Sequence, residues 1–272
     1  MNISSDFSSA ERVARGDAAG GTNIFDGLRV AVTGGTSGLG LALVRELMKR
    51  GARVAFVART RERVETVARE NAGAHGIVAD VSSKEEIYPI ALQVTGELGG
   101  LDVLVNNASD LGPMPLAMLS DTECEEFERA FKTNVLGPFR LTKALMGALA
   151  SSAREGRGAV VLNISSDAAV NPYSTWGAYG ASKAALHHLS RIWDEEHAAD
   201  GVRFLSLDPG DMDTPMHAAA VPDADPSTLK APEQAARELA DAIAAALLKR
   251  DAHDAPGQST EASVQELEGA TA

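Results

Sequence analysis

Tyr179 and Lys183 stand four residues apart in Tyr179-Gly180-Ala181-Ser182-Lys183, at the start of an apolar-periodic stretch from Ala184 to Trp193. Residues at i and i+4 share one helix face, so a helix here would set an ammonium beside a phenol. A nearby positive charge stabilises the phenolate, and the Tyr could then give or take a proton well below its free pKa of about 10. That is acid/base chemistry at neutral pH. The pair gains its meaning from the residues that other elements bring to it.

The first of those elements opens at Leu28. Arg29-Val30-Ala31-Val32-Thr33 is a short β-rich run, followed by Gly34-Gly35-Thr36-Ser37-Gly38-Leu39-Gly40 and an amphipathic helix from Leu41 to Arg50. Strand, glycine turn and helix form the layout of a dinucleotide site. Glycines let the main chain approach a ligand closely, and the helix N-terminus offers free amides to a pyrophosphate. A plain βα turn would also contain glycine. A second strand, Arg53 to Ala58, ends where NAD sites place an acid for the ribose hydroxyls, yet residues 51 to 60 contain no Asp or Glu. Arg59, Arg61 and Arg63 follow instead. A guanidinium there would attract a 2′-phosphate, which favours NADP(H) over NAD(H) while leaving NAD(H) possible. Arg59, directly after the strand, is the better candidate, and Arg61 and Arg63 read as solvated first-turn residues.

A third strand, Gly76 to Ala79, leads to Asp80-Val81, with Ser82 or Ser83 as the N-cap of the next helix. Asp80 would either accept from an adenine amino group or cap the turn. The strand Leu101 to Val105 is apolar enough for the centre of a parallel sheet and ends in Asn106-Asn107-Ala108-Ser109. Paired Asn at a strand end would bind local backbone or a ribose. A loop from Asp110 to Ser120 should overhang the site, before helices over 121–134 and 139–150 separated by Gly137-Pro138. Asn134 is unfavourable inside a helix and so has a structural or a catalytic task. The strand Ala159 to Ile164 runs into Ser165-Ser166, and the strand Val202 to Leu207 precedes Asp208-Pro209-Gly210-Asp211-Met212-Asp213-Thr214. Residues 215 to 231 suggest a mobile flap, and Pro232-Glu233 opens a helix to about Arg250. His187, His188 and His197 read as packing or surface residues.

Composition sets the bounds. A chain of 272 residues, 44% hydrophobic, can form one domain of α/β type over about 24–250. Residues 1–23 read as a flexible extension and 251–272 as a polar acidic tail, with a weak strand over 259–264 as the alternative to disorder. A net charge of -13 argues against nucleic acid or an anionic membrane as the main partner. The single cysteine, Cys124, suits a reducing compartment as a buried or half-exposed thiol. No signal peptide or run of 18 apolar residues occurs, so a cytoplasmic protein is expected, and no metal cluster is read from the sequence.

Taken together, Thr33-Gly34-x-x-x-Gly38-x-Gly40, Asn106-Asn107-Ala108, Asn134, Ser166, Tyr179-x-x-x-Lys183 and Pro209-Gly210 resemble, in order and spacing, the short-chain dehydrogenase/reductase family over residues 27 to 245. The resemblance implies a Rossmann-like doubly wound parallel sheet with helices on both faces. It implies an NADP(H)-dependent oxidoreductase that interconverts a carbonyl and an alcohol on a small molecule. Tyr179 would be the acid/base, Lys183 would tune it and bind the nicotinamide ribose, Ser166 would hold the carbonyl, and Asn134 would position a water. Ser165 is the rival serine, and family spacing chooses Ser166. Gly34, Ser37, Gly38, Leu39 and Gly40 would line the pyrophosphate, Arg59 the 2′-phosphate, Asp80 and Val81 the adenine, and Asn107 and Ala108 its ribose. Met212 and Thr214, after the Pro209-Gly210 turn, would meet the carboxamide.

The chain departs from the family in Ser109, where glycine is usual, in Ser37, where many NADP users are basic, and in lacking a last strand ending in Asp-Gly-Gly. A homo-oligomer is still implied. The substrate would meet Leu111, Asp167, Tyr173, Trp176, Met212, Met216 and His217. A catalytically silent nucleotide-binding regulator is the alternative, and an epimerase or dehydratase of the wider superfamily is disfavoured because too little chain follows residue 250 for a substrate domain.

Overall fold

The computed structural model describes residues 23–248, so the expected extension, the acidic tail and the strand over 259–264 lie outside the described residues. Six strands form one parallel sheet: β1 (Arg29–Thr33), β2 (Arg53–Ala58), β3 (His75–Val78), β4 (Val103–Asn106), β5 (Ala159–Ile164) and β6 (Val202–Leu207). Their order is β3-β2-β1-β4-β5-β6. The chain winds outward from β1 in one direction and then returns to wind in the other, so the crevice beside β1 and β4 is a topological switch point, where sheets of this kind bind ligands.

Alternation along each strand supplies two cores. Val30 and Val32 of β1, Val103 and Val105 of β4, and Val160 and Leu162 of β5 point to one face, under α1 (Gly38–Lys49), α2 (Arg61–Glu70) and α8 (Pro232–Leu248). Ala31, Leu104 and Val161 point to the other, under α3 (Ile87–Leu98) and α5 (Gly137–Arg154). The long helix α6 (Gly177–His197) lies beside β6, with Trp193 stacked on Phe204 at a centroid distance of 5.6 Å.

Several expected boundaries move, each for a local reason. The helix after β3 begins at Ile87, not after Ser82 or Ser83, because Asp80 takes those amides into a turn: its Oδ1 accepts from Ser82 N at 2.9 Å and its carbonyl from Ser83 N at 3.1 Å. Gly137-Pro138 does not separate two helices. From α4 (Cys124–Phe131) the chain stays helical through a wider π segment, Lys132–Leu136, into α5. Pro138 has no N–H to give to the carbonyl four residues back, that of Asn134, and the π segment accommodates the misfit. Residues 215–231, expected as a mobile flap, carry regular structure. They contain α7 (Pro215–Ala220), capped by Thr214 Oγ1 on His217 N, and a 3-10 turn at Pro226–Thr228, and a bridge between Met212 and Lys230 ties the segment's ends. Cys124 is exposed, contrary to the buried or half-exposed expectation, because it opens α4 at the surface.

At the end of the sheet away from the crevice, Asp102 is fully buried. It accepts from the Arg29 guanidinium at 2.6 Å, the Arg29 amide at 2.8 Å, Arg157 at 3.2 Å and the Ser152 hydroxyl. Burial alone would raise this carboxyl, but the donors outweigh it and hold it down to about 2. No helix of the described residues is long and apolar enough to cross a membrane.

Candidate active site

The β1–α1 turn builds the crevice floor. Gly34 has φ of 70°, and a Cβ there would meet Asn107 Nδ2 at 2.9 Å; a Cβ on Gly40 would sit 2.1 Å from the Gly34 carbonyl. Only glycine allows this closeness. Ser37 stands at the N-cap of α1 without making a side-chain cap, and no acid lies in the first turn. The amides of that turn are therefore left for an anion, which fits a pyrophosphate. Thr33 and Asn107 clasp the turn to β4: Thr33 Oγ1 accepts from the amides of Asn107 and Ala108 at 2.9 and 3.0 Å, and Asn107 Nδ2 donates to the Thr33 carbonyl at 2.9 Å. Of the two alternatives for the paired Asn, Asn106 is a core residue, donating to Thr142 and Asn163, and Asn107 binds backbone while bordering the crevice.

A continuous cleft of about 710 Å³ joins Gly34, Ser37, Gly38, Leu39 and Gly40 to Arg59, Asp80, Val81, Asn107 and Ala108. It continues past Ser166, Tyr179 and Lys183 to Pro209, Gly210, Met212 and Thr214. The expected substrate residues Leu111, Asp167, Tyr173, Trp176, Met216 and His217 also line it. Arg63 also borders it while remaining exposed, as expected, whereas Arg61, 71% exposed, faces Glu65. The difference is helical: α2 begins at Arg61, so positions 61 and 63 lie on different sides of its first turn.

Tyr179 enters the cleft wall from the first turn of α6 and is 8% exposed; Lys183, one turn on, is 2% exposed. The Lys183 ammonium lies 5.4 Å from the Tyr179 ring centroid and donates to the Ile164 carbonyl at 2.8 Å. Burial pushes Tyr179 up to about 12; the hydrogen bond with Ser166 opposes the rise, and Asp208, Asp167 and Asp211 add to it. Burial also brings Lys183 down to about 8, against the pull of Asp208. The expected lowering of the phenol by Lys183 is thus reversed in the chain alone, where desolvation outweighs an ammonium engaged with a carbonyl. Ser166, rather than the buried Ser165, shares the bond with the phenol. Asp167 Oδ1, 3.2 Å away, competes for the single hydroxyl proton of Ser166, whose oxygen accepts from Ala168 N.

Asn134 stands behind this wall, 1% exposed, and does not border the cleft. Its amide donates to the Asp110 carbonyl and Ser182 Oγ, both at 2.8 Å, and its Oδ1 accepts from Asp110 N at 2.8 Å and Ser109 Oγ at 3.2 Å. All four positions of the side chain are used. The side chain itself leaves no position for a water. Thr175, with φ of 71°, makes the tight turn that brings Trp176 edge-on to Tyr179, at a centroid distance of 5.6 Å.

The family model for short chain dehydrogenases matches residues 29–225. The chain belongs to that family. A short-chain dehydrogenase relative, an uncharacterised oxidoreductase of Mycobacterium bovis, is 34% identical over 238 residues, covering 84% of this chain and 68% of its own. Among solved structures, the 3-ketoacyl-(acyl-carrier-protein) reductase of Brucella melitensis complexed with NADH superposes with a TM-score of 0.75 at 28% identity, covering 79% of this chain and 90% of the other. An actinorhodin polyketide ketoreductase variant with NADPH gives 0.73 at 28% identity, over 81% and 92% of the two chains.

Within this short-chain dehydrogenase, Ser109 turns its hydroxyl to Asn134 rather than into the cleft's open space. Among the charged cleft residues, Asp225, Asp208 and Asp211 carried no assigned role in the sequence. The spacing of acids on either side of Pro209-Gly210 was the available signal for the last two.

Proposed function

We propose that this short-chain dehydrogenase is an NADP(H)-dependent reductase that interconverts a carbonyl and an alcohol, with Tyr179 as the acid/base. The observation that carries the reading is the meeting of Tyr179, Ser166 and Lys183 on one cleft wall, beside an uncapped helix N-terminus. When bound, the nicotinamide supplies the hydride. Ser166 holds the carbonyl oxygen, and Tyr179, protonated at neutral pH because burial raises it to about 12, delivers a proton to that oxygen as it gains charge. This protonation state favours reduction. Lys183 would hold the nicotinamide ribose with its ammonium, and Asn134 would position a water that returns the proton. Asp80 and Val81 would border the adenine, Asn107 and Ala108 its ribose, and Met212 and Thr214 the carboxamide.

Arg59, aided by Arg63, would meet the 2′-phosphate. Their place at the end of β2, where no acid stands, supports NADP(H) over NAD(H). We place the enzyme in the cytoplasm as a homo-oligomer. The half-exposed Phe139 and Ile192, on adjacent helices α5 and α6, supply an apolar surface suited to self-association. Oxidation of NADPH in the presence of a broad panel of aldehydes and ketones tests the assignment. Stoichiometric binding without turnover would instead make the protein a nucleotide-binding regulator.

A further inference from the structure

The cleft is divided by charge. Its nucleotide end carries Arg59 and Arg63 with Asp80, whereas Asp167, Asp208 and Asp211 border the end beside Tyr179. Lys183 is the one Lys or Arg among the lining residues of that end, and it lies buried with its ammonium on the Ile164 carbonyl. Lys230, which reaches the Pro209 carbonyl nearby, is already paired with Glu238 at 2.7 Å. Asp208, Asp167 and Asp211 each raise the Tyr179 phenol through their charge, beside the place where the substrate oxygen would sit.

Asp167 is also held in a fixed arrangement. Tyr173 donates to its Oδ2 at 2.6 Å and the Ser166 hydroxyl lies 3.2 Å from its Oδ1, which leaves further acceptor capacity on both oxygens. The rings of Tyr173 and Trp176 stand in the same wall, and aromatic faces attract cations.

We propose that the substrate end of the cleft selects carbonyl compounds bearing a cationic amine. The inference rests on the reductase reading and names its substrate class. A substrate ammonium would find carboxylates and aromatic rings around it, while a phosphate or carboxylate at the same place would meet like charge and no free Lys or Arg among the described lining residues, with His217, 4.0 Å from Asp211, as the one protonatable neighbour.

The test compares three ketones of one chain length with NADPH: a trimethylammonio ketone, its neutral tert-butyl isostere and the corresponding carboxylate. The expected kcat/KM for the cation exceeds that of the neutral isostere by at least about tenfold at low ionic strength, falls toward it as salt is added, and leaves the carboxylate poorest. Asp211→Asn should lower the cation-to-neutral ratio several-fold and Asp211→Lys should lower it further. Because both ketones meet the same variant, the ratio cancels any general loss of folded enzyme. A wild-type ratio of one or less, or a ratio unmoved in both variants, overturns the inference. Reduction of other carbonyl compounds with none of the cation overturns it while leaving the reductase reading intact. A complete absence of carbonyl reduction overturns the reductase reading, and this inference with it.

Discussion

Burial drives Tyr179 and Lys183 in opposite directions, since it penalises whichever form is charged: the phenol rises to about 12 and the ammonium falls to about 8. The charged Lys183 therefore exists below pH 8 and is lost as pH rises through it. NADPH affinity should weaken across that range, measured by fluorescence titration between pH 6.5 and about 9. Lys183→Ala should weaken binding at the low end of the range and abolish the pH dependence, and a dependence that survives the substitution would remove the ribose role.

Cofactor choice is also a matter of single residues. Arg59→Ala should weaken NADPH markedly and NADH little, and Ala58→Asp should reverse the preference; kcat/KM for both cofactors reads the change, with a wild-type preference for NADPH of at least about tenfold. At this scale the sequence shows residue types but not their neighbours. Tyr179, Lys183 and Arg59 were legible from spacing and position. The buried setting that inverts the Tyr179 shift, the second guanidinium of Arg63 and the saturated amide of Asn134 all depend on folded geometry.

Among the elements, the β1–α1 turn is the most exacting. Gly40→Ala would drive a methyl to 2.1 Å from the Gly34 carbonyl, so the turn must shift. Overpacking of this kind costs about 1–3 kcal/mol. NADPH binding should fall about tenfold or more with a lowered unfolding temperature, and unchanged binding would show that the turn does not cradle the nucleotide. Four strands, Arg29–Thr33, Arg53–Ala58, Ala159–Ile164 and Val202–Leu207, were legible to the residue, because continuous apolar runs bounded by turns leave little choice. Helix starts were less so. The side chain of Asp80 competes for the amides that Ser82 and Ser83 would have capped, and Pro138 is tolerated inside a helix through the π segment. Neither is visible in local composition.

At the scale of the whole molecule, the sheet has a structural end and a chemical end. The structural end is fastened by Asp102, whose folded pKa of about 2 lies below the value of about 3.9 for a free Asp. Its stabilising contribution is present above pH 4 and is lost as pH falls through 2. Asp102→Asn should destabilise the fold by about 3 kcal/mol at pH 7, since removal of one partner leaves a buried ionic cluster uncompensated. Urea unfolding at pH 7 and near pH 3 checks both the size and the sign, with a smaller difference at the acid pH.

The chemical end holds Tyr179, and with it the proposal that its phenol transfers the proton in an NADPH-dependent carbonyl reduction. The most direct measurement of that role is NADPH oxidation by Tyr179→Phe on a carbonyl accepted by the wild type, beside NADPH affinity for both proteins. The variant should lose turnover by at least about a hundredfold while keeping cofactor affinity within about twofold, because only the proton-bearing oxygen is removed. A variant that binds NADPH and retains more than about a tenth of wild-type turnover would contradict the role given to Tyr179.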